Sequence, residues 1–159
     1  MHIDHLFGGS ALRQVDAGGR VSLPRFVRTV AERRSEARAL VIGVHAADAC
    51  LTGYDPAFRR ILFADSERLR LQAGAAGGDS HHGRLRRAFG LTEEAAIDGS
   101  GRIVLPPMLR RIGRIERLAL FVGTGGDFEI WNPEIAAASG DDALRELARW
   151  RLADTHDAL

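Results

Sequence analysis

There is no lysine in the 159 residues, although 22 of them are basic, so every basic side chain is an arginine. Schiff-base chemistry is thereby excluded, and so is a phosphate loop of the kind that needs Lys followed by Ser or Thr. The stretch "GTGGD" (123–127) has the glycines of such a loop, but it lies between two strand-like segments and reads as a hairpin turn. Cysteine is nearly absent too. Cys50 has no second cysteine to pair with, so nothing in the chain calls for an oxidising compartment, and its apolar setting suits a small core side chain. No apolar run reaches the ~18 residues that span a bilayer, and "MHIDHLFGG" lacks a basic stretch followed by an apolar one. A cytoplasmic protein with no membrane partner is the expectation.

The residues that are present argue for a packed core. Hydrophobic residues make up 45% and charged residues 27%, a balance that excludes wholesale disorder. The net charge of +1 hides an uneven distribution. Residues 1–40 carry seven Arg against four acids and 84–117 carry eight against four, whereas 41–83 carry four against five and 118–159 three against eight. Both basic blocks contain a copy of one phrase: "VDAGGRVSLP" at 15–24 and "IDGSGRIVLP" at 97–106. The positive charge travels with that phrase, which favours an anionic partner there.

The duplication goes further. Aligning Asp16 with Asp98 also pairs Arg28 with Arg110, and "GYDPAF" (53–58) parallels "IWNPEI" (130–135). Each copy reads as turn, strand, short helix, two strands and helix. The turns are Ala17-Gly18-Gly19 and Gly99-Ser100-Gly101; Val21 to Leu23 and Ile103 to Leu105 are strand-like; Pro24 and Pro106 suit a first helical turn. Hairpins are predicted from 38–45 with 49–54 and from 117–123 with 127–131, running into Asp55-Pro56 and Asn132-Pro133 as helix caps. One helix is expected from Pro56 to about Leu71. Another starts at Pro133, pauses at Ser139-Gly140 and resumes from Asp141 through Arg151, where a loose apolar stripe makes this last stretch dispensable and the tail "ADTHDAL" frayed. The Gly-rich segment 72–83 reads as a loop, and Thr92 followed by Glu93 and Glu94 as a helix start. Two halves, 1–76 and 77–159, each too short of strands to bury a hairpin alone, would pair their sheets. The expected class is α+β, with two pseudo-repeats closing one β-barrel core and helices outside.

These residues resemble the MraZ family of bacterial transcriptional regulators. The resemblance spans nearly the whole chain and rests on Asp16 to Arg20 and Asp98 to Arg102, each followed by an apolar strand and "LP", with "CLTGYDPAF" (50–58) and "FEIWNPE" (128–134) in support. Phe7-Gly8-Gly9 matches an N-terminal Phe-x-Gly element. The resemblance implies a tandem version of the AbrB-like swapped-hairpin fold. It also implies sequence-specific binding of double-stranded DNA at promoter direct repeats upstream of the division and cell-wall gene cluster, by a nucleoid-associated, ring-shaped homo-oligomer. One position departs from it: members commonly carry Lys two residues after the first Asp, and here Gly18 removes that charge.

For DNA, Arg20 and Arg102 are the candidates for guanine edges, with Asp16 and Asp98 orienting them and Arg13, Arg25 and Arg28 holding phosphates, alongside Arg110 and Arg111. The same Asp-x-x-x-Arg spacing also fits a purely structural hairpin clamp, in which Asp accepts turn N–H groups and Arg folds back onto it. The two readings can coexist. If only the clamp holds, the chain is a protein-interaction or scaffold oligomer. An enzyme using Asp16 and Asp98 as a carboxylate pair is disfavoured, because an Arg four residues on makes each a poor general acid near neutral pH. No cofactor motif is present, and His81-His82 in a Gly-rich stretch has no second ligand pair for a metal. Tyr54 and Trp131 stand at equivalent strand ends, for core packing or an interface.

Overall fold

Each copy of the repeated phrase folds as a strand, a tight turn and a second strand, and the two copies then exchange partners. The computed structural model describes residues 5–74 and 78–158. β1 (Ser10–Gln14) and β2 (Arg20–Ser22) flank the first turn, followed by α1 (Arg25–Arg34) and the hairpin of β3 (Ala39–Val44) and β4 (Leu51–Tyr54). A 3-10 turn at Pro56–Phe58 leads into α2 (Arg59–Ala73), and α3 (Gly78–Leu85) precedes the second copy. There β5 (Thr92–Ala96) and β6 (Arg102–Val104) flank the turn, and α4 (Pro107–Ile112), β7 (Leu118–Gly123), β8 (Phe128–Trp131), α5 (Pro133–Ser139) and α6 (Asp142–Ala158) follow.

Six strands form one antiparallel sheet in the order β1-β7-β8-β4-β3-β5, and β2 pairs with β6 as a separate ribbon. Swapping the copies reverses this order onto itself, so the topology has a pseudo-twofold axis between β4 and β8. β1 pairs with β7 of the second copy, Ser10 opposite Val122, while β5 pairs with β3 of the first, Thr92 opposite Gly43. Each first strand thus completes the other copy's hairpin.

Alternation along the central strands buries both sheet faces. Leu40, Ile42, Ala119, Phe121, Phe128 and Ile130 face α1, α4 and the ribbon, where Val27, Leu109, Val21 and Ile103 close the main core. On the opposite face Leu120 and Trp131 meet Ala136 and Ala148 of α5 and α6. Val41, Tyr54 and Phe58 pack with Ile61 and Leu62 of α2. Tyr54 and Trp131 are therefore packing residues within the chain. Phe7 anchors the N-terminal segment: it exchanges backbone hydrogen bonds with Gly125 and sets its ring edge-on to Phe128 at 5.1 Å.

Several expectations need correction. The mixed two-sheet architecture stands, but barrel closure is not seen: β1 and β5 end the large sheet at opposite edges, because β2 and β6 leave it to pair with each other. Thr92–Ala96 is a strand rather than a helix start, since the open edge of β3 outweighs the helical preference of Glu and Ala. Part of the expected loop at 72–83 is α3, and the expected 76/77 boundary falls outside the described residues. The final stretch is better packed than its loose stripe suggests: Ala148 is fully buried, Leu144 packs beside it, and Arg151 donates to the Ser10 hydroxyl at 3.1 Å. The expected frayed tail continues as helix to Ala158.

The two expected caps also diverge. Asn132 accepts the N–H groups of Glu134 and Ile135 as predicted, whereas the Asp55 carboxylate makes no cap bond and turns inward to Arg34 at 3.1 Å. The Arg34 side chain is only 8% exposed. Its guanidinium also donates to the carbonyls of His5, Gly125 and Gly126 and lies 4.6 Å from the Phe7 ring centroid and 5.5 Å from that of Phe58. One side chain thereby ties the end of α1 to the N-terminal segment, the second hairpin turn and the start of the 3-10 turn. Removing one partner of a buried pair strands the other charge. Arg34→Met should therefore lower unfolding free energy by about 3–5 kcal/mol in urea titrations, and Arg34→Met with Asp55→Leu should recover much of the loss. Additive losses in the double variant would show that the pairing itself is unimportant.

Candidate nucleic-acid interface

The ribbon of β2 and β6 sits on the pseudo-twofold axis, and its alternation decides what it presents. Val21 and Ile103 point inward and are 1% exposed, so Arg20, Ser22, Arg102 and Val104 point away from the core. Arg20 lies opposite Val104, and Ser22 opposite Arg102. The two arginines are diagonal neighbours on one outer face, with backbones about 7–8 Å apart by ordinary sheet geometry.

The turns that lead into the ribbon are built alike. Asp16 Oδ1 accepts the N–H groups of Gly18 at 3.0 Å and Arg20 at 2.8 Å; Asp98 Oδ1 accepts those of Ser100 at 2.8 Å and Arg102 at 3.0 Å. Gly19 and Gly101 take positive φ of 88° and 77°, which a side chain would strain. Each turn is fastened to the other copy: Leu23 N–H donates to Gly101 O at 3.0 Å, and Leu105 N–H to Gly19 O at 2.9 Å. Donation by the Arg20 N–H, above all, holds the Asp16 carboxyl below the usual carboxylate range, and the Arg102 N–H does the same for Asp98.

The two arginines differ in what holds them. Arg102 Nε donates to Asp98 Oδ2 at 3.2 Å, so the second copy forms the clamp. Arg20 is exposed, and its guanidinium makes no hydrogen bond to a described residue. Arg25 is exposed at the start of α1, just beyond the ribbon. Arg13 is half-buried on β1, donating to Leu12 O at 3.2 Å. Arg28 is half-buried across Gly101, where its side chain leaves no room for a Cβ. Its counterpart Arg110 lies beside Gly19 and donates to the carbonyls of Ala17, Ile115 and Glu116, which occupies its fork. The structure thus brings Asp16, Asp98, Arg20 and Arg102 together and sets Arg13 and Arg28 further into the fold.

Sequence reading missed one cluster: His45 just after β3, Cys50 just before β4 and Glu129 on β8 converge. Its chemistry does not suit a metal. His45 Nδ1 accepts two backbone N–H groups, from Ala47 and Asp48, so Nε2 carries the ring proton and donates to Glu129 at 2.9 Å. Burial pushes the Cys50 thiol well above its ordinary pKa, away from the thiolate a metal would need.

A tandem pair of strand-exchanged repeats that sets two arginines on a shared ribbon defines the class: a mixed α/β fold of two sheets with outer helices, consistent with tandem AbrB/MraZ-like domains. A family model described as "MraZ protein, putative antitoxin-like" matches residues 88–135. The chain is 34% identical over 143 residues to the transcriptional regulator MraZ of Thioalkalivibrio sulfidiphilus, covering 89% of each chain. It is 33% identical over 129 residues to that of Alcanivorax borkumensis, covering 81% of this chain and 84% of the relative. Against that of Azotobacter vinelandii the identity is 30% over 146 residues, covering 86% and 87%. The chain belongs to the MraZ family.

The lowered carboxyl values give the turns a pH dependence. A free Asp titrates near ~3.9, and both folded values lie below the usual range, so the turn bonds contribute fully above about that pH and are lost as pH falls through the folded values. Thermal melts between pH 7 and pH 2 should show the native protein losing stability in acid. Asp16→Asn with Asp98→Asn keeps an oxygen acceptor in each turn and should melt near native at pH 7 with a shallower acid decline. An acid decline as steep as native would show that these carboxylates do not carry it.

Proposed function

We propose that this chain is a sequence-specific transcriptional regulator that binds double-stranded DNA and is not an enzyme. The observation that carries the proposal is the outer face of the β2–β6 ribbon, where Arg20 and Arg102 stand side by side. A two-stranded ribbon fits the major groove, and the arginine fork matches guanine O6 and N7. A spacing of about 7 Å corresponds to roughly two base-pair rises. In this reading Asp16 and Asp98 fix the turns that aim the forks, Arg25 contacts phosphate, and Arg13 and Arg28 add to the positive field behind the ribbon. Curated relatives named as transcriptional regulators support the same assignment.

The finer reading is that repeats 1–76 and 77–159 are the two units of a swapped-hairpin fold, and that several copies assemble as a ring. The ring engages direct repeats upstream of the division and cell-wall gene cluster, which makes the protein cytoplasmic and nucleoid-associated. The acidic block 118–159 against basic blocks elsewhere favours head-to-tail contacts, which close when the rotation permits. No helix among the described residues is long and apolar enough to cross a membrane. The second reading, a scaffold oligomer whose motifs are only clamps, draws on the Asp98–Arg102 pair.

Fluorescence anisotropy with operator and scrambled DNA over a salt series separates the two. Arg20→Ala should abolish specific binding without lowering the melting temperature, since its guanidinium bonds to no described residue. Arg102→Ala should weaken binding less and melt somewhat lower. Loss of one bidentate guanine contact costs roughly 1–3 kcal/mol per engaged subunit. Arg25→Ala should weaken all sequences alike and flatten the salt slope by about one unit. Tight, specific binding by Arg20→Ala would remove it as the reader, and no DNA binding by the native protein would favour the scaffold. Light scattering on the same samples should give a mass several times 17.3 kDa, and a monodisperse monomer would exclude the ring.

A further inference from the structure

We propose that the cavity between the first turn and the end of α4 is a phosphate-binding site whose free cationic groups are Arg111 and Arg114. The cavity has a volume of about 590 Å³. Ala17 and Gly18 line one wall and Arg110, Arg111 and Arg114 another, with Glu116 as the acid among them. Arg110 is taken up by its three carbonyls. Arg111 and Arg114 are exposed, and neither guanidinium bonds to a described residue, so two planar forks remain for an anion.

The backbone gives an independent reason. Arg114 has φ of 55°, and among the described residues it alone takes positive φ without being glycine. It occupies the left-handed position that ends α4, where Ile115 N–H returns to Arg110 O at 3.0 Å and Asn132 Nδ2 donates to Arg114 O at 2.9 Å. Glycine fills that position at the lowest cost, yet the chain places Gly113 one residue earlier and an arginine in the slot. Strain kept in a long charged side chain beside a cavity points to use of that side chain. The first copy lacks the arrangement: α1 continues to Arg34, and the positions equivalent to Arg111 and Arg114 are Thr29 and Glu32. The ligand is a phosphate group, either on the DNA backbone flanking the ribbon or free in solution. The first source rests on the regulator reading above, and the second does not.

Arg114→Gly is the informative variant, because it removes the charge and relieves the backbone. It should melt above the native protein, so lost binding cannot be blamed on misfolding. Gly18→Glu is the second variant: Gly18 has no positive φ, and a Cβ there meets only Asp16 Oδ1 at 3.5 Å, so a carboxylate fits at the cavity wall. If the phosphate is the DNA's, both variants weaken operator and scrambled DNA by the same factor, and Arg114→Gly lowers the salt slope by about one unit. If the phosphate is free, inorganic phosphate raises the native melting temperature above that in chloride of equal ionic strength, does not do so for either variant, and leaves the DNA slopes unchanged. A phosphate response without any DNA binding by the native protein would overturn the regulator reading and leave this site standing. DNA binding with unchanged slopes in both variants and no phosphate response would overturn this inference alone.

Discussion

The N–H of Leu23 donates to the carbonyl of Gly101, and the N–H of Leu105 donates to the carbonyl of Gly19. Both bonds leave one repeat and enter the turn of the other. Buried backbone groups must find partners, and for Leu23 and Leu105 the partner is in the opposite copy. Because the turns are fastened to each other, β2 and β6 lie side by side, and the strands before the turns reach across to hairpins that are not their own. A single sheet and a continuous main core follow. Carrying both copies in one chain keeps the two turns at high effective concentration, where separate chains would have to meet first.

The fastening also explains why the phrase contains what it does. Gly19 and Gly101 supply the left-handed turn, and their bare faces admit Arg110 and Arg28 from the opposite copy. The Asp carboxylates absorb two N–H groups each and so fix the direction in which the next strand leaves. The arginine that ends each motif is then the first residue of a rigid ribbon. The Arg102 fork, clamped to Asp98, loses little entropy on meeting a ligand, which is the physical content of calling a clamp and a reader compatible; at Arg20 only the backbone is fixed this way.

Much of this was legible in the sequence because the phrase occurs twice. The turns, the strands β2 and β6, the hairpins and the helix starts after Pro24 and Pro133 follow from local chemistry that each copy repeats. The strands β1 and β5 did not, since "TEEAA" has helical preference and becomes a strand only because β3 of the other copy offers an open edge. The alignment that pairs Asp16 with Asp98 also pairs Ser10–Gln14 with Thr92–Ala96, so the signal lay in the repeat and not in the segment. Arg34 and Asp55 show a different limit. Asp55 precedes Pro as a cap residue should, and only the buried guanidinium of Arg34, more than twenty residues away in sequence, turns its side chain inward. Arg114 was invisible for a different reason: Gly113 signals the end of α4, but nothing local shows that the left-handed position falls on the arginine after it.

The departures from symmetry bear on what kind of DNA element such a module suits. A perfect twofold would present identical forks to both directions and would fit an inverted repeat best. Here Arg102 is tied to Asp98 while the Arg20 guanidinium bonds to no described residue, and the end of α4 carries Arg111 and Arg114 where α1 carries Thr29 and Glu32. The ribbon keeps a twofold shape, but its two ends differ in charge and in freedom. Under the proposed function that difference gives each module a polarity along the duplex. Modules repeated around a ring in the same sense then match elements repeated in the same sense, and the multiplicity raises avidity by a factor on the order of 10²–10⁴ without any new contact. Under the proposed function, direct repeats are therefore the arrangement that a diverged tandem pair would match.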